Sequence, residues 1–269
     1  MGGVIVAMLT PCLFSCSDDD DNGPVMTPPQ YESVSGKYEI TASGSPYESI
    51  ELGASGDYIV TSKGYSSYTA TAKQSFIFYK SIPETRATTR GNLTYGTYTQ
   101  VSDDTFDLEG FGTIQLKKDA NQQVTSITIS VDGETTEYTT KKSETMGDDN
   151  KTNALCRTWK VVQTHEVGYD EYEGGDYDIT FTPADDPESL SEVMFTKSGT
   201  FLQFYSDGDF EVNDWSWKDK GKGVVQLSNF VDGEGTITVT FSDDKLYVHE
   251  SYRDGSEWGE ITVELTEKK

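Results

Sequence analysis

A chain of 269 residues with 21 basic and 46 acidic side chains carries a formal charge of −25 and has an isoelectric point near 4.2. Such a surface repels nucleic-acid phosphates and anionic lipid head groups, which argues against nucleic-acid binding and leaves neutral or cationic molecules as partners. The 16 Tyr, 12 Phe and 4 Trp exclude a disordered acidic chain, because those rings bury enough area to offset the ordering entropy.

The first predicted element runs from Val4 to Phe14, is almost wholly apolar and fits the short hydrophobic region of an export signal. It is too short to span a bilayer, which takes about 20 apolar residues. It leads into Leu13-Phe14-Ser15-Cys16, which resembles a bacterial lipobox. The resemblance implies that residues 1–15 are a signal peptide, that cleavage falls before Cys16, and that Cys16 is acylated. Each buried methylene adds about 0.8 kcal/mol, so several chains make a durable membrane anchor.

Ser17, Asp18, Asp19, Asp20 and Asp21 follow at once and resemble the export signal of Bacteroidetes-type surface lipoproteins. That implies an outer-membrane protein facing the cell exterior. Asp18, Asp20, Asn22 and Gly23 imitate the first half of a calcium loop, but its twelfth position would be Pro29 and not Glu. Residues 16–33, with Gly23-Pro24 and Pro28-Pro29, read as a lipidated acidic and Pro-rich tether that lifts the first domain from the membrane.

The rest of the chain reads as one unit written twice. Gly36-Lys37-Tyr38 falls opposite Arg157-Thr158-Trp159, and Gly56-Asp57-Tyr58 opposite Gly175-Asp176-Tyr177. Gly112-Thr113-Ile114 likewise meets Gly235-Thr236-Ile237, and Asp132-Gly133 meets Asp254-Gly255, all at an offset of about 120 residues. Two domains are expected, 34–142 and 155–269. Between them lies a polar, aperiodic linker, 143–154.

Within each unit the hydrophobic period is two. Ile127, Ile129 and Val131 share one face of a strand, as do Ile237, Val239 and Phe241, and Ile261, Val263 and Leu265. The pairs Asp132-Gly133, Asp207-Gly208, Asp232-Gly233 and Asp254-Gly255 supply the positive φ angles of tight hairpins. Only Pro183 to Glu192 looks helical, with Asp186 as N-cap and Pro187 at the first helical position. About eight strands in the first unit and eight or nine in the second, at hairpin spacing, predict an all-β protein. Its fold class is two tandem small antiparallel up-and-down β-barrels, with β-sandwiches as the alternative.

The stretch Leu155-Cys156-Arg157-Thr158-Trp159-Lys160-Val161, followed by Phe195-Thr196-Lys197-Ser198-Gly199-Thr200-Phe201, resembles the lipocalin-like domains of bacterial surface lipoproteins. Those open on a Gly-Thr-Trp strand and carry a Ser/Asp-Gly-Thr-Phe strand midway. Arg157 stands where the glycine is usual, and Tyr38 replaces the Trp in the first unit. The resemblance implies small barrels, often able to hold an apolar ligand, without enzymatic activity.

Candidate ligand-binding residues are Trp215 with Trp217 and Tyr247 with His249, each pair two apart and so on one strand face. A core or cross-strand aromatic cluster is the favoured explanation of both pairs, because such pairs stabilise sheets without any ligand. Tyr169, Tyr172 and Tyr177 among acids mark a second aromatic stretch. The histidines His165 and His249 have no metal-ligand spacing, and no nucleophile elbow is present, so neither metal, cofactor nor catalysis is expected. Cys156 is the one cysteine left in the mature chain, so no internal disulfide can form. The expected function is that of a monomeric, surface-exposed outer-membrane lipoprotein that binds or scaffolds, taking a small apolar ligand. The alternative is a carbohydrate-binding accessory lipoprotein of a nutrient-uptake system, and a third is an adhesin or assembly subunit.

Overall fold

The computed structural model describes residues 23–63, 93–170, 174–186, 188–230 and 233–268. The leader, Cys16 and Ser17 to Asp21, as well as Tyr172, Pro187 and Asp232, lie outside them.

The first barrel is made of β1 (Gly36–Ile40), β2 (Tyr47–Leu52), β3 (Asp57–Ser62), β4 (Leu93–Ser102), β5 (Thr105–Leu108), β6 (Gly112–Lys118), β7 (Val124–Val131) and β8 (Glu134–Lys142). Each strand pairs antiparallel with the next, and β1 pairs with β8, which closes the sheet. Alternation drives it: on β6 and β7, Ile114, Leu116, Ile127 and Ile129 point into one core while the residues between them face out. The β7–β8 hairpin turns on Asp132 and Gly133, both at positive φ (52° and 83°), the signature of a turn whose twist matches the strands.

A short helix, α1 (Asn150–Leu155), leads into the second barrel: β9 (Thr158–Asp170), β10 (Gly175–Phe181), β11 (Leu190–Phe195), β12 (Thr200–Tyr205), β13 (Phe210–Asp219), β14 (Val224–Phe230), β15 (Gly233–Ser242), β16 (Lys245–Asp254) and β17 (Glu257–Glu267). Here β9 closes on β17. β10 and β11 run in the same direction along one edge of β9, opposite residues 164–170 and 158–160 respectively. They are two halves of one strand interrupted by residues 182–189. The second barrel is therefore also eight-stranded, and two closed barrels stand where sandwiches were the alternative.

The two barrels share local chemistry in detail. Gly53 N–H bonds Asp57 O (2.7 Å) and Gly56 N–H bonds Gly53 O (3.2 Å), while Thr196 N–H bonds Thr200 O (3.0 Å) and Gly199 N–H bonds Thr196 O (3.1 Å). The glycines Gly56 and Gly199 sit at φ 94° and 88°, a region that costs other residues about 1–2 kcal/mol. Tyr98 Oη donates to Gly53 O (2.8 Å), and Trp215 Nε1 donates to Thr196 O (2.9 Å). Tyr38 Oη donates to Val34 O and Trp159 Nε1 to Leu155 O, each four residues back. These pairs make Gly53–Asp57 the counterpart of Thr196–Thr200. The expected match of Gly56-Asp57-Tyr58 to Gly175-Asp176-Tyr177 is corrected: the former opens β3, the latter opens β10, half of the second barrel's second strand.

Two other expectations change. Residues 183–186 and 188–189 form turns and bends, not a helix; Asp186 caps only a local turn, accepting from Glu188 N–H at 2.9 Å, and from Leu190 the chain is β11. Both faces of β11 are covered, because Val193 and Phe195 enter the core while Met194 meets the other barrel, so its period-two pattern is obscured. The helix lies instead in the stretch read as linker, where Asp149 caps α1 by accepting from Thr152 N–H at 2.9 Å.

Each barrel is closed below by the segment that precedes it. The turn at Tyr31–Val34 packs Tyr31 against Tyr98 (4.7 Å between ring centres), and α1 inserts Leu155 beneath the second core. The barrels stand side by side with these plugs at the same end. Near the plugs, Thr158 N–H donates to Ser55 Oγ (3.1 Å), and Glu51 accepts from Ser198 and from Thr200 (2.7 Å). Midway, Ile59 meets Met194 and Leu202. Higher up, the Tyr95 and Phe204 rings meet with centres 4.3 Å apart and planes tilted by 41°. Ile59 and Leu202 are counterparts, so the interface joins the same face of equivalent strands, as in a two-fold dimer.

Of the segment read as a tether, the described residues, from Gly23 on, are docked. Gly23 lies against the Asn150–Lys151 backbone, Met26 packs on the second core, and Thr27 O accepts from Arg157. Arg157, the residue at the usual glycine position, is buried and also reaches Asn153 O (3.1 Å) and Glu267 (2.6 Å), tying tether, helix and last strand together.

Candidate functional site: the polar mouth of the second barrel

The lower half of the second barrel is filled by its own side chains. Trp159, Phe195, Phe201, Trp215 and Leu265 meet there, all 3% exposed or less. Above them the lining changes. Gln203 lies between Phe201 and Tyr205 on the inner face of β12, and Asn213 lies on the inner face of β13 beside Trp215. Asn213 Nδ2 donates to Gln203 Oε1 at 3.2 Å, and Tyr205 Oη donates to Glu211 at 3.2 Å. Burial, with the Glu211 carboxylate beside it, holds the Tyr205 phenol well above its ordinary pKa and neutral.

The opposite wall is taller. β10, β9, β17 and β16 pair side by side, and β9 runs 13 residues against five in its counterpart β1. The register puts Ile179, Glu166, Ile261 and Glu250 in one row, and Ile261 belongs to the core, so the row faces inward. Glu166 and Glu250 are buried, yet Ile179 is 46% exposed. The wall therefore opens to solvent at this level. One row higher come Tyr177, Gly168, Gly259 and Tyr252. The Tyr177 ring lies directly over Gly168, where a Cβ would collide with it and with the Trp258 carbonyl. Burial, then the nearby Glu166 and Tyr252, raises the Tyr177 pKa.

The first barrel serves as an internal control. Counting from the shared turns and pairings, Gln203 corresponds to Val60, Asn213 to Gly96 and Glu250 to Ile129. Val60 and Ile129 are core residues of the first barrel, and Gly96 is covered by the Tyr58 ring. Three apolar interior positions of one barrel are thus polar in the other, at the same height. The cost of burying them is met only by hydrogen bonding or by a bound polar molecule.

The residues singled out from sequence are not assembled into this site. Trp215 and Trp217 do share the inner face, 5.6 Å apart and edge to face, but at the plug end; Trp215 is 3% exposed and Trp217 Nε1 donates to Thr152 Oγ1. Tyr247 and His249 face outward from β16, opposite the core residues Leu246 and Val248. His249 Nδ1 and Thr262 Oγ1 are 2.7 Å apart, and Thr262 also pairs with His165, so both histidines lie in one outer row. Tyr169 and Trp258 are neighbours on that outer side, whereas Tyr177 enters the mouth. Sequence reasoning missed Gln203, Asn213, Glu166 and Glu250; the one available signal was a polar residue at an inward position of the period-two pattern.

Among the described residues no group of three or more His, Cys, Asp or Glu side chains could hold a metal ion. Between the two plugs a cleft beside Gly53, Cys156 and Lys197 offers about 10 Å³, room for one water. No protein-family model matches the chain, and no match to a curated protein was found.

Proposed function

We propose that this chain is a lipid-anchored protein of the outer membrane, exposed at the cell surface and acting by binding or scaffolding, not by catalysis. The leader supports the anchor through Cys16 and the acidic run Ser17 to Asp21. The observation that carries the binding reading is the replacement of Val60, Gly96 and Ile129 by Gln203, Asn213 and Glu250 in the matching interior. A duplicated barrel kept only for structure gains nothing from polar groups inside, whereas a binding barrel uses a few placed polar groups to orient its ligand.

Because the lower halves of the barrels are filled, the proposed ligand is a small molecule that hydrogen-bonds at the mouth while touching Ile179 and Tyr252. A carbohydrate is the second reading, favoured by tyrosine rings beside carboxylate and amide acceptors, and it fits an accessory lipoprotein of nutrient uptake. Native mass spectrometry of the Ser17–Lys269 form, purified from its own cells, followed by a glycan array, tests both. Retention of a small molecule or glycan that is lost in Gln203→Val and Glu250→Ile, the first barrel's residues, is the expected result. Binding unaffected by those changes would overturn the site.

A further inference from the structure

Electric charge is sorted along the barrel axes. In an up-and-down barrel alternate turns lie at opposite ends, so the plug end holds the chain entries, the β4–β5, β6–β7, β13–β14 and β15–β16 turns and the C-terminal residues. Among the described residues every lysine except Lys63 lies in that half. The β13–β14 turn is the densest part, with Lys218, Lys220 and Lys222 around Asp219, and Lys222 is 80% exposed. The mouth of the second barrel carries Asp176, Asp178, Asp185, Asp186, Glu188, Asp207 and Asp209, against Arg253. The net charge of −25 is therefore spread unevenly, with a strongly negative mouth and a plug end where lysines offset most of the acids, Asp149 and Asp219 at the turn among them.

The tether arrives at that same plug end. Gly23 rests on the Asn150–Lys151 backbone, and Lys151 Nζ donates to Lys220 O (2.6 Å) and Gly221 O (3.1 Å). Between Cys16 and Gly23 only residues 17–22 intervene, a stretch that reaches about 25 Å at most. We propose that the protein stands on the membrane with the Lys218–Lys222 turn against anionic lipid head groups and the acidic mouth of the second barrel pointing outward. This inference rests on the acylation of Cys16 proposed above. Head-group phosphates attract the lysine turn over about a Debye length, and the same phosphates repel the mouth. The lipid end of the tether and the lysine turn pull the same face down.

The test uses the acylated full chain, purified from membranes and placed in vesicles of phosphatidylethanolamine and phosphatidylglycerol that carry a head-group nitroxide. A fluorophore is attached to Gly221→Cys, an exposed position that leaves the three lysines of the turn in place, or, separately, to Asp207→Cys; Cys156 is buried and stays unlabelled. Several-fold stronger quenching at position 221 than at 207, weakened by high salt, is the expected result. Equal quenching, or stronger quenching at 207, would overturn the orientation. Strong but salt-independent quenching at 221 would overturn the head-group contact and leave the tether alone holding the protein. A chain that carries no acyl group and does not stay with the vesicles would remove the anchor itself, a failure read from the vesicle fraction before any quenching is measured.

Discussion

Asp57 Oδ1 of the first barrel lies 3.1 Å from Lys268 Nζ, just beyond the last strand of the second. The aspartate is 1% exposed and also accepts from Tyr95 Oη (2.9 Å) and Thr158 Oγ1 (2.5 Å). One carboxylate thus ties three strands of two barrels. Asp57→Ala strips Lys268 and two hydroxyls of a buried partner and should cost about 3 kcal/mol. Urea unfolding is expected to change from one transition to two as the barrels uncouple.

The apolar middle of that interface gives an independent handle. Leu202 is fully buried, yet with its neighbour Met194 it faces out of its own barrel toward Ile59 of the first. Leu202→Ala should destabilise the joined pair by about 2–4 kcal/mol, while the far-ultraviolet dichroism of each barrel stays unchanged. Loss of strand signal in this variant would mean that the barrels do not fold apart from the interface.

The paired turns predict paired effects. Gly56→Ala and Gly199→Ala force side chains into the left-handed region at φ 94° and 88°, and each should cost about 1–2 kcal/mol. At both positions a Cβ would also press on a neighbour, the Tyr31 ring at 3.1 Å from Gly56 and the Trp215 carbonyl at 3.2 Å from Gly199. The two variants should therefore lose similar stability in thermal unfolding.

Acid sensitivity centres on Asp149. Burial alone would raise its pKa, but the Thr152 N–H, the Lys220 ammonium and the Thr152 hydroxyl outweigh that and hold it below the usual carboxylate range. A lowered folded-state pKa contributes stability present above the unfolded value of about 3.9 and lost as pH falls through the folded value. Asp149→Ala should cost about 1 kcal/mol at neutral pH, and the gap should close as pH drops below about 3.9. A gap that persists in acid would show that the cap works without its charge.

Cys156 is buried, and burial pushes its thiol far above the ordinary value. A disulfide-forming thiol reagent should leave it untouched in the native chain and react on unfolding, since the thiolate is the reactive form. Fast labelling under native conditions would mean that α1 leaves the base of the second barrel.

The strands were legible because burial on one side of a sheet imposes period two: Ile127 and Ile129, or Ile261 and Val263, can be read directly. Turns were legible where positive φ is required, as at Asp132-Gly133. The pattern failed where both faces are covered. Met194 and Leu202 face the other barrel, so Val193-Met194-Phe195 and Phe201-Leu202 are unbroken apolar stretches without alternation, and the pairing of β10 and β11 as one interrupted strand has no local signature. The helix at Asn150–Leu155 escaped because one turn and a half has no periodicity to show; only Asp149, three residues before Thr152, marked it.

The amino-acid sequence by itself determined two β-units, their hairpins and the acidic character of the chain, since these depend on neighbours along the strand and on composition. The tertiary structure decided which aromatic residues are core, which carboxylates are buried, and where the lysines gather. Those properties depend on contacts between residues distant in the chain: Trp215 is held by Thr196 O, Glu250 is placed inward by Ile261, and the lysine turn stands beside Gly23 because α1 closes the barrel beneath it. Strand alternation states that a residue faces one of two sides, and only barrel closure determines which side is the interior.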